Sequence, residues 1–140
     1  MGKYFKISEL TYSATAKKHN IDNTPNETEV KHMEELIDFM DDVRAKWGSA
    51  LLVSSGFRCE ELNTKLCGAK TSAHRTGYAV DICPANNQKS KFFDFMKEYL
   101  QDKEFDELIF ETSGKSSWIH FALKSIQGKQ RRKIKSLQVK

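Results

Sequence analysis

Two histidines and an aspartate carry the strongest chemistry in this sequence. His74 and Asp81 sit close together in Ser72-Ala73-His74-Arg75-Thr76-Gly77-Tyr78-Ala79-Val80-Asp81, and His120 lies far downstream in Trp118-Ile119-His120-Phe121. Two neutral imidazole nitrogens and one carboxylate oxygen form a ligand set for a catalytic zinc ion that keeps a fourth position open for water. The spacing is not a dense local motif such as H-E-x-x-H. The fold must therefore bring the three groups together. A histidine met alone is more often a hydrogen-bonded structural residue or a solvated one.

The elements around these residues suit that convergence. Tyr78 to Cys83 is rich in strand formers and reads as a strand, with Gly77 breaking the chain before it in the loop that carries His74. Trp118 to Leu123 reads as a second strand. Side chains two apart share a face, so Trp118, His120 and Ala122 point one way and Ile119, Phe121 and Leu123 the other. A polar imidazole opposite so apolar a face needs a polar partner or a metal.

The rest of the chain reads as support. Ser8 to His19 predicts a short helix capped by Ser8. Thr24-Pro25-Asn26-Glu27 opens a second, with Thr24 as cap, Pro25 at the first helical position and Glu27 closing a capping box. Val30, Met33, Ile37, Met40, Arg44 and Trp47 recur at three- and four-residue steps, a core-facing stripe ended by Gly48. His32 lies off that stripe and, with His19, is given no ligand role. Ala50 to Ser54 predicts a buried strand, Glu60 to Leu66 one or two helical turns, and Gln88 to Leu100 a helix whose stripe includes Phe92, Phe95, Met96 and Tyr99. Glu107 to Glu111 predicts a strand, and Thr112 to Ser117 the turn of a hairpin. Helices, then strands and a helix around an antiparallel sheet, place the chain in the α+β class.

A chain of 140 residues fits one domain with its own core. No apolar run is long enough to span a bilayer, and no apolar segment follows Met1-Gly2-Lys3, so no secretory signal is expected. Lys6 stands where a myristoylation motif needs Ser or Thr. Cys59, Cys67 and Cys83 cannot all pair and read as free thiols of a reducing compartment, with a Cys59–Cys67 disulfide as the other reading. The net charge of +4 is unevenly placed. Seven of the 23 basic residues lie after Leu123, with no acid among them, which leaves 16 basic against 19 acidic residues before it. Residues 124–140 are therefore read as a basic tail behind a domain of residues 1–123. Such a tail binds nucleic acid or an anionic polymer, or is solvated and partly disordered; the second is the expectation.

Ser72-x-His74-x-x-Gly77-x-Ala79-x-Asp81 followed by Trp118-Ile119-His120 resembles the signature of the zinc D-alanyl-D-alanine carboxypeptidases and the related L-alanyl-D-glutamate endopeptidases, which share a Hedgehog-like fold. Phe5-x-Ile7-Ser8-Glu9-Leu10, Asp22-Asn23-Thr24-Pro25 and Val53-Ser54-Ser55-Gly56-Phe57-Arg58 before Glu61-Leu62-Asn63 extend the likeness to the small single-domain branch, from about Phe5 to Leu123. The resemblance implies a metallopeptidase hydrolysing peptidoglycan stem peptides near D-amino acids, as a carboxypeptidase or an endopeptidase, with zinc held by His74, Asp81 and His120. It implies a functional cation at Arg58, whose planar fork suits a carbonyl oxygen or a carboxylate. Many relatives carry Asp or Glu three residues before the last ligand, where this chain has Ser117. Glu111, ending the preceding strand, is the substitute base. Ser72 and Trp118 are assigned to the loop and the substrate cleft. The expected protein is a monomer without a membrane span or a nucleic-acid partner. It is cytoplasmic, or a phage or prophage lysis enzyme released through a separate pore. The Ser117 departure leaves a second class open, a non-catalytic zinc-stabilised module that binds cell wall or a phage structure.

Overall fold

The computed structural model describes residues 2–138; Met1 and the last two residues of the expected tail, Val139 and Lys140, lie outside the described residues. The α+β class is borne out. Five helices, α1 (Ile7–Thr11), α2 (Ala14–Lys18), α3 (Glu27–Trp47), α4 (Glu60–Lys65) and α5 (Lys89–Tyr99), flank a five-stranded sheet. Its strands are β1 (Leu51–Ser55), β2 (Ala79–Pro84), β3 (Glu107–Ser113), β4 (Ser116–Ala122) and β5 (Lys133–Gln138), in the order β1-β2-β4-β3-β5. All neighbours are antiparallel except β3 and β5, which run parallel.

Local chemistry sets most boundaries, at places differing from several expectations. The single helix expected from Ser8 to His19 is two helices. Tyr12 is extended, and Ser13 rather than Ser8 supplies the cap, its hydroxyl accepting from the Ala16 N–H at 3.1 Å. Thr24 does not cap α3, because its backbone N–H and hydroxyl both turn back to Asp22 Oδ1 at 3.1 and 2.6 Å. Asn26 caps it instead, and the box partner is Glu29, not Glu27: Asn26 Oδ1 accepts from Glu29 N–H at 2.8 Å and Glu29 Oε1 from Asn26 N–H at 2.9 Å. Gly48 ends the helix in the left-handed region at φ 85°. β1 is an edge strand, not a buried one, and Leu52 is 58% exposed. The hairpin turn is tighter than expected. Ser113 already pairs with Ser116, leaving Gly114 and Lys115 to turn the chain.

The sheet has two unlike faces. Val80, Ile82, Leu108, Ile119 and Phe121 are buried in the main core, with Met33, Leu36, Ile37, Met40 and Val43 of α3 and Phe92, Phe93 and Met96 of α5. Phe39 of α3 stacks on Phe121 at 5.1 Å between ring centroids, and Trp47 meets Phe92 edge-on at 5.2 Å. Each such aliphatic or aromatic side chain contributes roughly 1.5–3 kcal/mol by leaving water. The alternate residues, Asp81, His120, Ile109, Glu107, Glu111 and Trp118, line a cleft on the opposite face. The alternation of side chains thus separates the stabilising face from the chemical one.

The segment after Leu123, expected as a solvated tail, completes the sheet. Asp106 is fully buried, and Arg131 closes on it in a bidentate pair, Nε to Oδ1 at 2.8 Å and Nη2 to Oδ2 at 2.9 Å. Arg132 donates to the carbonyls of Leu100, Gln101 and Lys103 and covers the Phe105 ring. Two of the basic residues are therefore pins. They deliver Lys133–Gln138 to the free edge of β3, where six residues pair in register from Glu107↔Lys133 to Thr112↔Gln138.

Candidate metal centre

His74 sits in a short 3-10 turn, Ala73–Thr76, whose geometry is fixed from three sides. Ser72 Oγ accepts from the His74 N–H at 3.2 Å, the His74 carbonyl accepts from the Arg58 N–H at 3.0 Å, and Gly77 closes the turn at φ 88°. A side chain at Gly77 would be strained at that φ and would place its Cβ 2.8 Å from the Glu29 carbonyl oxygen. His32, read as a surface residue, is half-buried and braces this turn. Its Nδ1 lies 2.7 Å from the Thr76 carbonyl, and its ring stacks on Tyr78 at 4.1 Å.

Asp81 and His120 are direct cross-strand partners in the β2–β4 ladder. His74 Nε2 lies 3.2 Å and His120 Nδ1 3.0 Å from the same oxygen, Asp81 Oδ1. One ligand atom from each of the three residues falls within 4.8 Å of the others, and all three residues are buried. No other such cluster occurs among the described residues.

The outward nitrogens decide whether the cluster fits a cation. His74 Nδ1 is 2.7 Å from the Gly56 carbonyl, which can only accept, so the proton of a neutral ring sits there. Its Nε2 then presents a lone pair to the Asp81 carboxylate. His120 has the same arrangement reversed: Nε2 lies 3.7 Å from Glu107 Oε1, and Nδ1 faces Asp81. Electron pairs from two rings and a carboxylate therefore converge, an arrangement that requires positive charge between them. A metal ion would supply it, and Glu107, 3.7 Å from His120 Nε2, stands where metal sites place the carboxylate that fixes a histidine tautomer.

Without a metal, protons do the same work. Burial disfavours the His120 imidazolium, but the hydrogen bond to Asp81 and the nearby Glu107 carboxylate outweigh it and raise its pKa to about 9. Burial dominates at His74 and lowers its pKa despite Asp81. Burial alone would raise Asp81, yet the two rings hold its carboxyl well below the usual range.

Each expected site residue is at or beside the cleft, which encloses about 630 Å³. Arg58 follows β1 and places Nη2 3.6 Å from Asp81 Oδ2, with Nε donating to Ser55 Oγ at 3.1 Å and Nη1 to Asn63 Oδ1 at 3.4 Å. Burial pulls its pKa down, against the opposing pull of Asp81 and Glu111. Glu111 is half-buried and pairs across the hairpin with Trp118 rather than with His120, whose partner is Ile109. Desolvation, then the Asp81 charge, push the Glu111 carboxyl up; His120, the nearby Trp118 indole and Arg58 offset part of the rise. Ser72 and Trp118 both line the cleft.

Ser117 has the opposite parity to His120 on β4. Its hydroxyl accepts from Lys89 Nζ at 3.1 Å, on the α5 side of the sheet. A carboxylate at this position would therefore face away from the three converging side chains. Glu107 and the Gly56 carbonyl were not found from sequence. Glu107 lies thirteen residues before His120 and becomes its neighbour only through the hairpin register. A backbone carbonyl carries no side-chain signal at all.

A protein-family profile described as Peptidase M15 matches residues 3–122, which include the turn, both central strands and all three converging side chains. A comparison with curated protein sequences finds no match. No helix among the described residues is long and apolar enough to cross a membrane. The family match covers most of the chain, and the buried His74–Asp81–His120 cluster has the donors its chemistry requires: this chain belongs to the Peptidase M15 family of zinc-dependent peptidases.

Proposed function

We propose that the protein hydrolyses peptide bonds of peptidoglycan stem peptides near D-amino acids, with zinc held by His74, Asp81 and His120. The observation that carries this reading is the convergence of three electron-pair donors on the floor of an open cleft with a carboxylate, Glu111, in the same wall. Zinc held there would supply a Lewis acid for the substrate carbonyl and a water of lowered pKa.

The chain's own residues supply the rest. Glu111, whose carboxyl is shifted upward, takes the proton of the attacking water on a carboxylate oxygen and returns it to the leaving amine. Arg58 offers N–H groups to the substrate oxygen that gains charge, and its ties to Ser55 and Asn63 fix the fork in advance. Ser72 holds the His74 turn, and Trp118 gives the peptide an aromatic wall. The outward aim of Ser117 supports Glu111 as the base, since position 117 is turned from the ligands.

The test is digestion of purified peptidoglycan with and without chelator, with fragments identified by mass. New amino termini at bonds flanking D-residues, lost with chelator and restored by zinc, are expected. Intact sacculi under both conditions would overturn the proposal.

A further inference from the structure

β5 lies beyond the family match, yet Lys133, Lys135 and Leu137 form one side of the cleft. Register explains why. Across the sheet, Asp81 pairs with His120, His120 with Ile109, and Ile109 with Lys135. These four residues form one transverse row on the same face. Two strand spacings, about 10 Å, separate the Cα atoms of His120 and Lys135. Lys133 stands two residues back along β5, opposite Glu107.

The other cations of the cleft are already engaged. Arg58 is held against Asp81, and Arg131 is closed on Asp106 with Glu107 at 3.7 Å. The ammonium groups of Lys133 and Lys135 make no hydrogen bond or close ion pair among the described residues, and both side chains are exposed. Lys135 acts on Glu107 only as a through-space charge. Glu107 itself is directed to His120. The cleft thus has one cationic end committed to its own aspartate and another left for a ligand.

We infer that β5 is a carboxylate-binding wall: Lys133 and Lys135 receive an acidic group of the peptide substrate close in sequence to the bond that is cut. The inference rests on the peptidase reading above and adds to it the substrate's charge and the side of the centre on which that charge lies. An extended peptide advances about 3.3–3.6 Å per residue, so an ~10 Å offset less the reach of a lysine side chain spans one or two residues. In a stem peptide the matching groups are the free carboxylate of D-glutamate and the terminal carboxylate of D-alanine.

Three synthetic peptides test it: L-Ala-γ-D-Glu-L-Lys-D-Ala-D-Ala, the same peptide amidated at the D-Glu α-carboxylate, and the same peptide amidated at its C-terminus. Binding is measured by calorimetry on zinc-loaded protein carrying Glu111→Gln, with and without Lys133→Gln and Lys135→Gln together. One of the two amidations is expected to weaken binding roughly fivefold, and the amidation that does so identifies the group. The double lysine variant should lose that difference while binding the amidated peptide as before. Equal binding of all three peptides, or a difference that survives in the lysine variant, would overturn the wall. The peptidase reading fails separately: wild-type protein that leaves the parent peptide uncut while keeping the carboxylate difference would remove the reading and leave the wall. No binding of any peptide would overturn both.

Discussion

The middle of the sheet and its C-terminal edge solve opposite problems. At the β2–β4 pair, Asp81, His120 and His74 are buried and bound to one another, so each position is fixed by the other two. At β5 every described residue is exposed, and the strand is held by backbone pairing and by the Arg131–Asp106 anchor outside it. The centre gains definition by removing water, which makes unpaired charge there costly. The edge keeps its lysines in water, where charges cost little and also attract weakly. One face of a single sheet therefore carries both a rigid chemical centre and an adjustable electrostatic rim.

The contrast is tested hardest at the centre. Asp81→Ala should abolish zinc binding and reduce turnover to background. In the metal-free state it should destabilise the fold by about 3–5 kcal/mol, because buried groups lose their counter-charge; metal analysis and denaturant titration read both. Glu111→Gln should retain one zinc per chain and lower kcat by about 10²–10⁴. Loss of zinc in that variant would make Glu111 a ligand or a structural residue. Glu107→Gln should weaken zinc affinity about 10- to 100-fold without removing a ligand, measured by competition with a chromophoric chelator.

The edge should respond differently. Arg131→Ala leaves the Asp106 carboxylate buried without its main partner and is expected to cost about 1–3 kcal/mol, with zinc stoichiometry unchanged. Equal losses of stability and zinc would mean that the two regions are not separable.

The pH dependence of the metal-free fold follows from the two rings, and their signs differ. His74 has a folded pKa below its ordinary 6.5, so it costs stability at low pH, and that cost disappears as pH rises to about 6.5. His120 has a folded pKa raised to about 9, so its contribution is complete below about 6.5 and fades as pH rises toward 9. Chelated protein should therefore be most stable near pH 6.5. Zinc should stabilise more strongly as pH rises, because the ligands bind deprotonated. Thermal melts across pH 5–9, with and without zinc, check both trends.

What could be read in the sequence follows the range of the forces involved. The stripe of α3 was legible because its burial repeats at helical spacing: of the expected positions Met33, Ile37 and Met40 are buried and Val30, Arg44 and Trp47 half-buried, with Leu36 and Val43 buried beside them. The three converging side chains were legible through the likeness of their motifs to a zinc peptidase signature, since their spacing alone reads as readily as structural histidines; β2–β4 pairing joins Asp81 to His120, and the turn before β2 adds His74. Caps were misplaced by two residues or more because Asp22 competes for Thr24 and Tyr12 interrupts α1, both short-range contests that propensity does not settle. Lys133–Gln138 alternates only weakly and exposes Ile134 and Leu137 at 43% and 42%. Its strand is templated by the open edge of β3, a non-local cause. Glu107 was hidden for the same reason, since only the hairpin register brings it beside His120.

The Gly56 carbonyl that orients His74 has a consequence at the far end of the chain. Leu10 O accepts from the Phe57 N–H at 2.7 Å, and any Cβ on Gly56 would come within 2.3 Å of that same oxygen. The carbonyl steering the imidazole is thus clamped from behind by α1, which in turn hangs on Asp41 through the backbone of Lys3, Tyr4 and Phe5. Zinc affinity should therefore report on mechanical load at the amino terminus. A bulky fusion or a surface tether there would loosen the His74 ring, more than sixty residues away in sequence.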